Sequence, residues 1–164
     1  MTDTNDHHEC CAKFEPDVWD GKTHVWVDKP FITESIPIFF HIPFPPMIGK
    51  MVWRMWEQAK DAGAATDMKD CIMMATDPSP WKSEWYMLVT KEVPGANNIK
   101  LSGTFMTKVF DGPYNGVPRY MKEMDAHLAG NGKKALKYYF HYASCPKCAK
   151  KYGHNYIVAF AQVE

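Results

Sequence analysis

The chain has 164 residues, 46% apolar and 23% charged, with 19 lysines and arginines against 19 aspartates and glutamates. That length suits one domain with a substantial core, and the composition excludes wholesale disorder. Zero net charge gives no electrostatic reason to expect nucleic acid or an anionic membrane as a partner.

No apolar run approaches the roughly 20 residues of a membrane-spanning helix, and Met1–Glu15 lacks the basic and apolar regions of a signal peptide. Five cysteines make an odd set for a disulfide framework. A cytoplasmic protein with mostly reduced thiols is expected, as a monomer or weak homodimer. Eleven methionines and six tryptophans suit either a methionine-rich core or a pocket for flat apolar ligands, and the two are compatible.

In chain order, residues 1–21, with His7, His8, Cys10 and Cys11, read as a leader that is loose or packs late. Lys22–Ile42 fits two short strands, interrupted by Asp28-Lys29-Pro30 and by Pro37. Ile48, Met51, Val52, Met55, Trp56 and Ala59 mark one face of a helix near Pro46–Ala62. Asp70–Thr76 reads as a short apolar strand, Asp77-Pro78-Ser79-Pro80 as a turn, and Trp81–Thr90 as the next strand. Phe105, Thr107 and Val109 alternate with Met106, Lys108 and Phe110, the period of a half-buried strand. Val117, Tyr120, Met121, Met124 and Leu128 then mark a second helix, over Tyr114–Ala129. Strands over Ala135–Ala143 and Asn155–Val163 flank a short helical turn at Ser144–Gly153. The order β-α-β-β therefore occurs twice, about 22–94 and about 99–164. The expectation is one α+β domain over 22–164: an antiparallel sheet, two helices on one face, and a concave ligand cleft between the halves.

A strand ending in an aromatic, then Gly112-Pro113-Tyr114, then a helix with Tyr120 and Leu128, resembles the second half of GyrI-like domains. Those are small-molecule-binding modules related to the SOUL haem-binding fold. The doubled β-α-β-β order extends the resemblance over Lys22–Val163, and with no helix-turn-helix upstream the chain resembles a stand-alone member. Such a resemblance implies a small lipophilic aromatic molecule as partner and no cofactor.

The candidate chemistry lies on the strand after Trp81. Glu84 and Tyr86 share one face, about 7 Å apart along the strand. A carboxylate among aromatic walls is expected to have its pKa raised by desolvation, which suits a general base, and Tyr86 could donate to a developing oxyanion. A solvated Glu on an exposed face is the plainer reading. Trp81-Lys82-Ser83-Glu84 also resembles the Trp-(basic)-x-Glu strand of GyrI-like hydrolases that open strained, electrophilic aromatic compounds. That implies Glu84 as the water-activating group and Trp81 as a stacking surface. Trp85, Phe105, Tyr114, Tyr138, Phe140 and His141 complete the candidate ligand set. One departure stands out: effector-binding members carry a glutamate at the start of the last strand, where this chain has His154-Asn155.

Cys145-Pro146-Lys147-Cys148 has spacing for half a zinc site, with His154 and a leader residue as further ligands. Unliganded thiols and a redox pair are the other readings of the same segment. Cys71, His24 and His127 read as structural residues.

Overall fold

The computed structural model describes residues 13–143 and 146–164, the side chains of Pro146 and Lys147 excepted. Six strands and three helices follow in the order β1 (Lys22–Pro37), α1 (Pro45–Asp61), β2 (Met73–Ser79), β3 (Lys82–Leu88), β4 (Asn97–Asp111), α2 (Val117–Gly130), β5 (Lys137–Tyr142), α3 (Pro146–Tyr152) and β6 (Tyr156–Val163). The class is α+β, as expected. Among the described residues no helix is long and apolar enough to cross a membrane.

The sheet is antiparallel, as expected, and it closes on itself. Its strands run β1-β3-β2-β5-β6-β4 and close into an antiparallel barrel. Closure follows from the length of β1. Lys22–Thr33 pairs with β4 and Phe31–Pro37 pairs with β3, so one strand joins both ends of the sheet and no edge remains. The sequence suggested two strands here because Asp28-Lys29-Pro30 looks like a break. The break is instead a bulge: the register shifts between Trp26 and Lys29, and Asp28 takes φ +50° while its N–H reaches Ser102 Oγ at 2.8 Å.

Three apolar clusters fill the molecule. Met51, Met55 and Ala59 of α1 cover Ile32, Ile36, Met73, Ala75, Trp85 and Met87 on the outside of β1, β2 and β3. Tyr120, Met124 and Leu128 of α2 cover Phe110, Phe140, Ile157, Ala159, Ala161 and Val163. The barrel interior is packed by Trp26, Phe31, Met74, Tyr86, Phe105, Tyr139, Val158 and Phe160. Six of the methionines lie in these clusters, so much of the methionine content is core. Each such side chain stabilises by about 1.5–3 kcal/mol through burial.

Residues 13–21 of the expected leader pack on the barrel. Phe14 and Trp19 lie against the interior cluster, Asp20 accepts from Val109 N–H at 3.0 Å, and Thr107 donates its hydroxyl to the Trp19 carbonyl. Burial of apolar area on Phe14 and Trp19 favours this docking.

The Gly112-Pro113-Tyr114 turn has a packing reason. The Tyr120 ring stacks on Phe110, with centroids 4.7 Å apart, and its hydroxyl donates to Pro113 O at 3.0 Å. A Cβ at Gly112 would stand 2.3 Å from the Tyr120 hydroxyl, and one at Gly116 would stand 2.6 Å from the ring. The two glycines leave room for the tyrosine. Tyr114–Gly116 forms a 3-10 turn before α2, so the helix begins three residues later than the sequence suggests.

Candidate functional site

The pleat of the barrel divides the candidate residues between two faces. Along β3 the side chains alternate: Tyr86 belongs to the interior cluster, while Trp85 and Met87 pack outside against α1. Glu84 shares the inward side with Tyr86, and Phe105 is in the interior as well. Buried His141 faces Trp19 and Phe160 of that interior. Outside lie Trp85, Tyr138 and Phe140, with Tyr114 joined to them through Tyr142. No single cleft holds all of them.

Trp81 belongs to neither group. It sits in the turn between β2 and β3, is 51% exposed, and packs on Phe39 and Phe40 at 5.6 and 4.8 Å. The sequence expectation extended the strand by one residue and so gave Trp81 a fixed face. The turn removes it from that alternation.

Glu84 opens at the end of the barrel near this turn. Tyr86 Oη donates to Glu84 Oε2 at 2.8 Å, and Lys82 Nζ stands 3.3 Å from Oε1. The Tyr139 ring lies 5.5 Å from that of Tyr86, with Lys137 Nζ 5.0 Å above Tyr139. The Tyr86 hydrogen bond, helped by Lys82, lowers the Glu84 pKa against a smaller opposing effect of desolvation. This reverses the expected direction, because a donor and a cation on the carboxylate outweigh its partial burial. Burial, and after it the same contact, pushes the Tyr86 phenol well above its usual range. Glu84 is therefore a firmly ionised carboxylate. Behind it the interior is filled, as a six-stranded barrel requires, and a flat ligand could reach Glu84 only at the mouth.

The outer face offers a different arrangement. Trp85 stacks on Tyr142 with centroids 5.7 Å apart and planes 28° apart, and Tyr142 meets Tyr114 at 5.6 Å. The column runs from Trp85, 7% exposed, out to Tyr114, 42% exposed. It spans the seam between the half of the barrel under α1 and the half under α2. The indole Nε1–H of Trp85 is buried without a hydrogen-bond acceptor among the described residues. Burial, then the negative charge of Asp77, pushes the Tyr142 phenol above its usual range. The Asp77 carboxylate in turn holds His41 Nδ1 at 3.1 Å. Tyr142, Asp77 and His41 were not among the site residues expected from sequence. Tyr142 was recoverable, since it shares the alternation of Tyr138 and Phe140. Asp77 reads as a turn residue and His41 as part of a proline-flanked break, so only the fold brings them together.

The other expected residues make contacts within the fold. The Tyr138 hydroxyl donates to Asp125 of α2, and Phe140 is buried beneath that helix. His141 is fully enclosed, with Nδ1 at 3.1 Å from Met73 N and 3.0 Å from Met73 O; one nitrogen can serve only one of them at a time. His154 Nδ1 binds Asp111 at 2.7 Å and its ring stacks on Tyr156. That contact holds Asp111 below the usual carboxylate range. Cys148 is buried, whereas Cys145 and the leader residues His7, His8, Cys10 and Cys11 lie outside the described residues. Among the described residues no three metal-binding side chains converge. Two surface depressions lie elsewhere. One, of about 210 Å³, is lined in part by the Glu34–Arg54 ion pair; the other, of about 370 Å³, lies beside Glu92 and Lys100.

The family described as bacterial hydrolase matches residues 1–163. No curated protein matches the sequence. Solved structures share the fold, among them the following three. The EcmrR C-terminal domain has a TM-score of 0.67 and 11% identity, over 90% of this chain and 98% of that one. An uncharacterised conserved protein from Listeria innocua has a TM-score of 0.62 and 10% identity, over 88% and 92%. SAV2435, bound to tetraphenylphosphonium, has a TM-score of 0.54 and 9% identity, over 88% and 94%. Identities this low speak for the fold alone.

Proposed function

This chain belongs to the bacterial hydrolase family, and on that premise we propose that it binds a flat, apolar aromatic molecule on the Trp85–Tyr142–Tyr114 column and hydrolyses it there. The observation that carries the reading is the column itself: three aromatic rings in sequence, graded from buried to exposed. Aromatic faces of this kind bind flat ligands through dispersion and offset stacking, each pair contributing about 0.5–1.5 kcal/mol beyond area burial. The structural relative that holds tetraphenylphosphonium, a lipophilic molecule of four aromatic rings, supports the ligand class.

Hydrolysis needs a base on the ligand's side of the sheet. Asp77 fits, because it follows Met73 and Ala75 on the outer side of β2 and is hydrogen-bonded to His41. The carboxylate takes a proton from water while the water oxygen bonds to the electrophilic carbon. The bond to the leaving atom breaks with its electron pair, and the proton passes to that atom.

A second reading keeps Glu84 and Tyr86 as the catalytic pair at the barrel mouth. It is favoured by the 2.8 Å hydrogen bond and by the ionised state of Glu84. A third, binding without turnover, needs the column alone.

A thermal-shift screen of lipophilic aromatics followed by turnover assays separates these readings. Tyr114→Ala should weaken binding of any hit by about 5–10-fold, with little loss of stability at so exposed a position. Asp77→Asn should then lower turnover by about 10²–10⁴-fold with binding retained, and Glu84→Gln should leave it near wild type. The reverse pattern moves the chemistry to the barrel mouth. Equal affinity in Tyr114→Ala and wild type would remove the column from the site.

A further inference from the structure

Five large apolar side chains crowd one corner of the surface, at the end of β1 and the β2–β3 turn. Phe39, Phe40, Ile42, Phe44 and Trp81 are 65%, 59%, 68%, 61% and 51% exposed. Phe39, Phe40 and Trp81 form a continuous ring cluster, with centroid separations of 4.6, 5.6 and 4.8 Å. Aromatic side chains offer about 150–250 Å² each, so the patch amounts to roughly 500 Å² of apolar surface. That is at the upper end of what a monomer exposes without use.

The backbone beneath the patch is also unusual. Phe39 and Ile42 exchange both backbone hydrogen bonds, at 3.1 and 2.9 Å, which makes Phe40-His41 a two-residue hairpin turn. Both residues take left-handed angles, φ +48° and +62°. Turns of this shape favour Asn-Gly, because a bulky side chain there costs energy that glycine does not. Contacts from outside hold the turn in place: His41 N–H donates to Pro80 O at 3.1 Å, Ile38 N–H to Trp81 O at 3.0 Å, and the His41 ring to Asp77. A turn with folding as its sole purpose gains nothing from a phenylalanine in this position. Keeping Phe40 there costs stability and displays an aromatic ring.

We infer that this aromatic corner is the core of an isologous dimer interface, its occupant the same corner of a second copy of this chain. Two arguments favour a second copy. A standard interface buries about 800 Å² per partner, with an apolar, aromatic-rich core and a polar rim. A core of roughly 500 Å² bordered by His41, Asp77 and Lys82 meets that division without enlisting another surface. Charge points the same way. Nineteen basic and nineteen acidic residues give no net repulsion between copies. An acidic partner or an anionic membrane, by contrast, would call for the cationic rim that the Asp77–His41 pair does not provide.

Sedimentation velocity on the full-length protein from about 1 µM to 500 µM tests this, beside Phe40→Asp and Trp81→Asp. The expected result is a concentration-dependent dimer in the wild type and at least a tenfold weaker association in each variant. Circular dichroism should stay unchanged, since both side chains lie outside the core. Because one variant could disturb the turn, Phe44→Asp, beyond the turn at the start of α1, serves as a third and should weaken the dimer as well. A wild type that stays monomeric throughout overturns the inference, as does a dimer indifferent to all three changes. Flotation of the wild type with phosphatidylcholine vesicles, lost in Phe40→Asp, would make the corner a lipid-binding surface and overturn it as well.

Discussion

His141 shows how one side chain can set the pH behaviour of the molecule. It is buried in the barrel, where desolvation brings its pKa down from 6.5 to about 4, against the raising effect of its bond to Met73. A histidine depressed in the fold is favoured as the neutral form. Its contribution is therefore complete above pH 6.5, the unfolded value, and is lost as pH falls toward 4. At about 1.4 kcal/mol per pH unit the loss is on the order of 3 kcal/mol. Glu84 and Asp111, both depressed by their partners, add to acid instability in a lower window, below the ordinary carboxylate range. Urea unfolding of the wild type should show stability falling between pH 6.5 and 4. In His141→Asn, less stable at pH 7, that slope should largely disappear. An unchanged slope would assign the titration to another group. The sequence placed His141 in the candidate ligand set, and its enclosure depends on Trp19 and Phe160, which are distant along the chain. Glu84 shows the same limit: its position on β3 was legible, whereas the direction of its pKa depends on where the hydroxyl of Tyr86 points.

At the scale of elements, the periodic patterns were legible and the interruptions were not. Both long helices were visible because apolar residues recur at helical spacing, and α1 runs within a residue of its expected limits. The Asp28-Lys29-Pro30 break was misread because a bulge and a turn use the same residues. Only the pairing of Lys29 with Leu101 shows that the strand continues. The Phe39–Ile42 turn escaped notice for the opposite reason: nothing in Phe-His signals left-handed geometry. The same mismatch makes a prediction. Phe40→Asn combined with His41→Gly supplies the residues that this turn prefers. Relief of two strained positions is worth about 1–3 kcal/mol each, against at most about 1 kcal/mol for the lost exposed His41–Asp77 pair. The melting temperature of the double variant, compared at a concentration where both proteins are monomeric, should rise by several degrees. A fall would mean that the aromatic corner itself supports the fold.

The whole barrel has one narrow seam. β1 and β4 pair from Lys22–Thr107 to Thr33–Asn97, and β4 and β6 pair without interruption from Thr104–Val163 to Asp111–Tyr156. β2 and β5 pair only at Met74–His141 and Ala75–Phe140. The apolar patterns of each half foretold the two helix-covered clusters, but closure depends on this short contact between distant strands, which no local pattern encodes. His141 reinforces it, since its ring reaches the Met73 backbone across the same seam. Protonating His141 would therefore loosen the barrel where the ladder is shortest. Local opening needs less free energy than global unfolding wherever few backbone bonds must break. Hydrogen exchange at pH 5 should accordingly show the amides of Met73–Ala75 and Phe140–His141 exchanging well before those of Phe105–Val109 and Val158–Phe160. The difference should narrow at pH 7.5. The Trp85–Tyr142 stack joins β3 to β5 beside that seam, so a ligand held on the column would bridge the two halves and should slow the same amides selectively. Uniform exchange in all strands at pH 5 would mean that the barrel opens only as a unit, and that the seam is no weaker than the rest.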